Sequence, residues 1–89
     1  MQNSLQKKFE DAVQNVAAGK VGFEASREDK LNLYGLYKQA TAGDVAHEKP
    51  GFNDFAGRLK HLAWQKYKGL TANEAMQQYI DYVAKKEIA

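Results

Sequence analysis

Tyr34, Tyr37 and Lys38 stand within about one helical turn of one another in the stretch LYGLYKQATAGD, residues 33–44. Lys60 and Tyr79 lie on other segments of helical period. A phosphate monoester carries close to two negative charges and several acceptor oxygens, so its site calls for ammonium groups and hydroxyl donors converging from different elements. A phenol adds a flat face on which a purine can stack. Two lysines and three tyrosines therefore suit a phosphorylated nucleotide. Helix packing accounts for the same spacing, with the tyrosines in the core and the lysines in water, and both readings stay open on spacing alone.

Other chemistry is thinly represented. His47 and His61 share no helical i, i+4 partner and no carboxylate at ligand spacing, so no metal site is expected. Ser4 and Ser26 stand at expected helix starts, where capping explains them without nucleophilic catalysis. GKVG, residues 19–22, lacks the spacing and the Lys-Ser/Thr ending of a phosphate-cradling loop. The expectation is a protein that is not an enzyme. Cysteine is absent, which removes disulfides and thiolate sites together.

The 89 residues form one domain, 1–89, with 44% hydrophobic and 27% charged residues, the balance of a globular protein. A net charge of +2 gives no electrostatic footprint for nucleic acid. No apolar run approaches the roughly 20 residues that span a bilayer, and MQNSLQKKFEDA lacks the apolar centre of a secretory signal. A cytoplasmic protein with no stable membrane insertion is expected.

The elements that must position the tyrosines and lysines follow from a period near 3.6 along almost the whole chain. Leu5, Phe9, Ala12, Val13 and Val16 mark the apolar stripe of a first helix ending near Gly19. Ser26, three residues before Asp29, opens a second helix that carries Leu31, Tyr34 and Lys38 along one line and Leu33, Leu36, Tyr37 and Ala40 beside it, and Gly43 closes it. The segment GDVAHEKPGFND holds the only proline and reads as a long connection. A third helix, capped by Asn53 or Asp54, is predicted from about Phe55 to Lys68, with Phe55, Leu59 and Leu62 on one face and Ala56, Lys60, Ala63, Trp64 and Tyr67 around it. Thr71 and Glu74 form a capping box for a fourth, whose Ala75, Met76, Tyr79, Ile80 and Val83 make a core-facing stripe.

The chain resembles a known family. The run Tyr-x-x-Tyr-Lys-Gln-Ala-Thr-x-Gly-Asp, the stretch HEKPGF, the Lys-x-x-x-Trp pair and the capped Ala-Met-x-x-Tyr-Ile helix occur in the order and spacing of the acyl-CoA-binding protein family, along roughly the whole chain. The resemblance implies an all-α fold: a four-helix up-down-down-up bundle with a long overhand loop between helices 2 and 3. It implies a bowl for long-chain acyl-CoA, with no cofactor, and a monomeric carrier whose partners are acyl-CoA-using enzymes. Matched by position, Tyr34, Lys38 and Lys60 would hold the 3′-phosphate of coenzyme A, Tyr79 would contact the nucleotide head, and Tyr37 would lie beside the adenine. Phe9, Ala12, Val13 and Leu31 correspond to the wall for the acyl chain. A helical protein-interaction module using the same face is the alternative reading.

Three departures from the family pattern bear on the ligand. His61 stands where many members have a tryptophan, which alters one aromatic contact. Lys30 stands where many carry an apolar residue, and its stem can cover an acyl chain while its ammonium stays wet. The first loop, AAGKVGFEASRED, is about two residues longer than in short animal forms and lacks their proline.

Overall fold

The computed structural model describes residues 4–45, 50–51 and 53–88, and four helices account for most of them. They are α1 (Ser4–Ala17), α2 (Arg27–Ala42), α3 (Phe55–Gln65) and α4 (Ala72–Ile88). His47 and most of the HEKPGF stretch lie outside the described residues.

Local chemistry sets the boundaries. The Ser26 hydroxyl accepts from the Asp29 N–H at 3.0 Å while the Asp29 carboxylate accepts from the Ser26 N–H at 3.0 Å, a reciprocal capping box. Thr71 and Glu74 do the same for α4 at 3.1 and 2.9 Å. Asp54 caps α3 by accepting from the Gly57 N–H at 2.9 Å. α3 ends three residues before the predicted Lys68, because the N–H groups of Tyr67 and Lys68 bond to carbonyls three residues back and tighten the chain out of α geometry. Gly69, at φ 97°, then turns it toward α4.

Packing gives the directions. α1 and α4 run the same way: Phe9 lies beside Tyr79, and Gly22, just beyond α1, bonds to Glu87 near the end of α4. α2 runs against α4, since Asp29 at its start meets Tyr82 and Lys86, while Gln39 near its end donates to the Leu70 carbonyl just before α4. α2 and α3 advance together, with Lys60 over Tyr34 and Lys38 over Trp64. The order is up-down-down-up, as expected.

The buried core consists of Phe9 from α1, Leu33, Leu36 and Ala40 from α2, and Ala75, Tyr79 and Val83 from α4. Each of the larger side chains contributes about 1.5–3 kcal/mol by leaving water. α3 supplies no fully buried residue. The face of α3 that carries Phe55, Leu59 and Leu62 is not its packed one, since Phe55 is 71% and Leu62 60% exposed. The α3 segment instead meets α2 through Ala63 and, two residues past the helix, Tyr67, both of which press on Gly35.

Gly35 is where the two backbones come closest. A Cβ there would overlap the Ala63 carbonyl oxygen and lie 2.8 Å from its carbon, and backbone atoms cannot rotate away. Gly35→Ala is expected to force α2 and α3 apart and cost about 1–3 kcal/mol, read as a lower midpoint in urea unfolding.

Hydrogen bonds tie the ends of the helices together. Asp29, buried, accepts from the Tyr82 hydroxyl at 2.6 Å and pairs with Lys86 at 3.1 Å. The Tyr82 hydroxyl also accepts from Asn32, whose Oδ1 accepts from Lys66 and Tyr67 at the end of α3. The Tyr82 bond first, then the Ser26 N–H, hold the Asp29 carboxyl well below the usual carboxylate range. The Gly69 N–H lowers Asp44, and the Thr71 N–H lowers Glu74. Lowered folded-state values mean that the unfolded chain binds more protons in acid, so this stabilisation is present above the unfolded values and is lost as pH falls below them. Thermal midpoints should hold steady down to about pH 5 and drop below about pH 4. Asp29→Asn should flatten that acid limb in a melting series.

Candidate functional site

α2 presents one side to α1 and α4 and another to α3, and the residues singled out in the sequence divide between these two seams. On the first, Val13, Val16 and Ala17 of α1, Leu33, Tyr34 and Tyr37 of α2 and Tyr79 of α4 line an open cleft of about 220 Å³, with Lys30 at its margin. Val13, Val16 and Ala17 share a face because they are three and four residues apart. Tyr37, 39% exposed, stacks on Phe9 with ring centroids 6.2 Å apart and planes at 21°. Phe9 meets Tyr79 edge-on at 5.3 Å and 83°, an arrangement that suits the ring quadrupoles. Burial, and secondarily the nearby Tyr37, push the Tyr79 phenol up to about 12, so near neutral pH it is an uncharged hydroxyl able to donate.

On the second seam lie the lysines. The Lys60 ammonium sits 5.5 Å from the Tyr34 ring centroid, and the Lys38 ammonium 4.9 Å from that of Trp64. Lys60 with Tyr34 and Lys38 with Trp64 thus lie across the junction of α2 and α3, and Tyr34 also borders the apolar cleft. Cations on one side and an apolar trough on the other make an amphipathic receptacle, fit for a ligand with an anionic head and a hydrocarbon tail.

The four residues matched to an apolar wall separate. Val13 lines the cleft. Phe9 is only 3% exposed and works mainly as a core residue between Tyr37 and Tyr79, with an edge on a neighbouring hollow beside Met76. Ala12 faces the other flank of α1, toward Val21 and Ile80. Leu31 is half-buried on α2 outside the lining of the cleft. Val16, Ala17 and Leu33 were not singled out for the wall, although the i, i+3, i+4 spacing from Val13 carries the signal for the first two.

Lys30 does reach the groove, as its position implied. His61 is half-buried on α3, next in sequence to Lys60. The longer first loop folds back on the bundle: Val21 and Phe23 pack against the core, and the Gly22 N–H donates to the Glu87 carboxylate at 3.0 Å.

The Gln-Ala-Thr-x-Gly-Asp run has a structural use that its sequence did not disclose. Gln39, fully buried, donates to Asp44 at 2.8 Å and to the Leu70 carbonyl at 2.9 Å, and Asp44 accepts from the Gly69 N–H at 2.9 Å. The Trp64 indole donates to the Gly43 carbonyl at 2.8 Å. These bonds fasten the end of α2 to the turn between α3 and α4 and hold the lysine seam in place.

Comparisons with known proteins bear on family and fold. The family model described as Acyl CoA binding protein matches residues 6–83. Acyl-CoA-binding domain-containing protein 3 of Oryza sativa subsp. japonica is 44% identical over 79 residues, 89% of this chain and 50% of that protein, so the chain spans half the length of that relative. Acyl-CoA-binding protein 2 of Saccharomyces pastorianus is 43% identical over 67 residues, covering 75% of this chain and 77% of that protein. The crystal structure of Oryza sativa Acyl-CoA-Binding Protein 2 superposes with a TM-score of 0.82 at 41% identity, covering 93% of this chain and 90% of that one. With its helices in that order and a family match along most of its length, this chain belongs to the acyl-CoA-binding protein family.

Proposed function

We propose that this chain binds long-chain acyl-CoA thioesters without transforming them, and acts as a monomeric cytoplasmic carrier that passes them to acyl-CoA-using enzymes. The observation that carries the reading is the pair of cation–ring contacts across the α2–α3 junction, Lys60 on Tyr34 and Lys38 on Trp64, with Tyr34 also lining an apolar cleft. In this reading the two ammonium groups and the Tyr34 hydroxyl take the 3′-phosphate of the nucleotide. Tyr37 offers its exposed ring to the adenine, and Tyr79 a neutral hydroxyl to the head. Val13, Val16, Ala17 and Leu33 shelter the tail, with Phe9 backing the wall and Lys30 laying its stem over it.

Head and tail divide the work. Each charge-assisted hydrogen bond to phosphate is worth about 1.5–3 kcal/mol, so the head sets which nucleotide is accepted. Each buried methylene adds about 0.8 kcal/mol, so eight further carbons give up to ~6 kcal/mol if fully covered and about half that in an open trough. The tail sets length preference.

Calorimetric titration with palmitoyl-CoA and with 3′-dephospho-palmitoyl-CoA tests the reading. A preference of at least about tenfold for the phosphorylated ligand is expected from the loss of one or more such bonds. Equal affinities would remove the phosphate anchor, and no binding at micromolar concentration would favour a protein-interaction module instead.

A further inference from the structure

The two cations of the α2–α3 seam are arranged reciprocally. Lys38 leaves α2 and lies over Trp64 of α3, while Lys60 leaves α3 and lies over Tyr34 of α2. Residues 34 and 38 are one turn apart on α2, and 60 and 64 one turn apart on α3, so each helix contributes one cation and one ring. The indole is anchored by its own hydrogen bond to the Gly43 carbonyl. A ring face attracts an ammonium through its quadrupole without cancelling the charge, whereas a carboxylate would neutralise it. The ion pairs Lys7–Asp11 and Lys86–Asp29 involve neither Lys38 nor Lys60.

We propose that Trp64 is a positioning residue for phosphate recognition: its anchored indole holds the Lys38 ammonium at the α2–α3 seam that also carries Lys60 on Tyr34, so that a phosphate dianion at this seam meets a cation from each helix with its charge intact. The inference rests on the acyl-CoA reading above and names what presets its anionic subsite. A long lysine stem loses rotamer freedom when it engages a ligand, and a stem already resting on a ring has less to lose. Trp64 acts through Lys38 rather than on the ligand itself.

The test compares the full chain with Trp64→Leu, which removes the aromatic face, and Trp64→Phe, which keeps a weaker face but loses the N–H anchor. Each is titrated with palmitoyl-CoA and its 3′-dephospho form, and the ratio of the two affinities is the readout. Trp64→Leu is expected to shrink that ratio roughly three- to tenfold, with the dephospho affinity changed less than about twofold, and Trp64→Phe to retain most of it. An unchanged ratio, or equal weakening toward both ligands, would overturn the proposal, since packing alone produces the latter.

A measurement on the unaltered chain keeps the question open to refutation if the leucine variant fails to fold. In ¹³C-lysine-labelled protein, the ε-methylene protons of Lys38 should be displaced upfield by the indole ring current relative to the other exposed lysines. Lys38 ε-protons at the exposed-lysine position would refute the contact. A wild-type chain that does not distinguish the two ligands would count against the acyl-CoA reading itself, an outcome separate from either of these.

Discussion

Replacing both Lys38 and Lys60 with alanine should weaken binding of palmitoyl-CoA by about a hundredfold to ten-thousandfold while leaving the melting temperature nearly unchanged. Each ammonium supplies a charge-assisted bond of about 1.5–3 kcal/mol to a phosphate, equivalent to about tenfold or more in affinity per lysine. The folded state loses little, because Lys60 is exposed, Lys38 only half-buried, and each contributes a single cation–π contact worth about 0.5–1 kcal/mol at such sites. The 3′-dephospho ligand should bind wild type and double variant within a few fold of each other. Raising salt should shrink the wild-type advantage, as exposed charge contacts are screened within about 10 Å at 0.1 M. Calorimetry at two salt concentrations checks all three points. A double variant that binds as tightly as wild type would place the head group elsewhere.

The second large effect is on stability. Phe9→Ala should cost about 3–5 kcal/mol of folding free energy, because it empties the space between Tyr37 and Tyr79. Domains of this size have total stabilities of order 5–15 kcal/mol, and each kcal/mol moves the melting temperature by about 4–8 °C. A fall of roughly 12–40 °C by differential scanning calorimetry is therefore expected. Acyl-CoA affinity would fall too, through loss of the folded population and of the support under the Tyr37 ring. Measured at low temperature, where the variant stays folded, the residual affinity should lie closer to wild type than that of the lysine variant. The contrast separates a residue that builds the wall from residues that grip the ligand. Had Phe9 been chiefly a ligand contact, as its position in the family pattern implied, the order of the two effects would be reversed.

Legibility varied along the chain for physical reasons. Helix starts were readable because a capping box is a local contract: Ser26 with Asp29 and Thr71 with Glu74 satisfy backbone donors three residues away, whatever the rest of the fold does. The faces of α1 and α4 were readable because each carries one apolar stripe and buries it in one direction. α3 was not, since its apolar residues occupy more than one face and its place depends on Gly35 of another helix. Phe55 and Leu62 thus fell on the outside while Ala63 and Tyr67 took the seam. Tyr34, Lys38 and Lys60 were identifiable as candidate phosphate partners from residue type and motif, but nothing local told that the two ammonium groups would be parked on rings of the opposite helix.

What the amino-acid order determined by itself was the set of four helices, their caps, and the inventory of amines, phenols and apolar stripes from which a site could be made. Those depend on contacts one turn apart. Tertiary structure alone decided that Ala12 turns away from the cleft while Val16, Ala17 and Leu33 line it, that Gln39 and Asp44 tie α2 to the following turn, and that the first loop folds back to Glu87. Each of these depends on which helix lies against which, through contacts between residues far apart in the chain, and short-range periodicity carries no record of such distances.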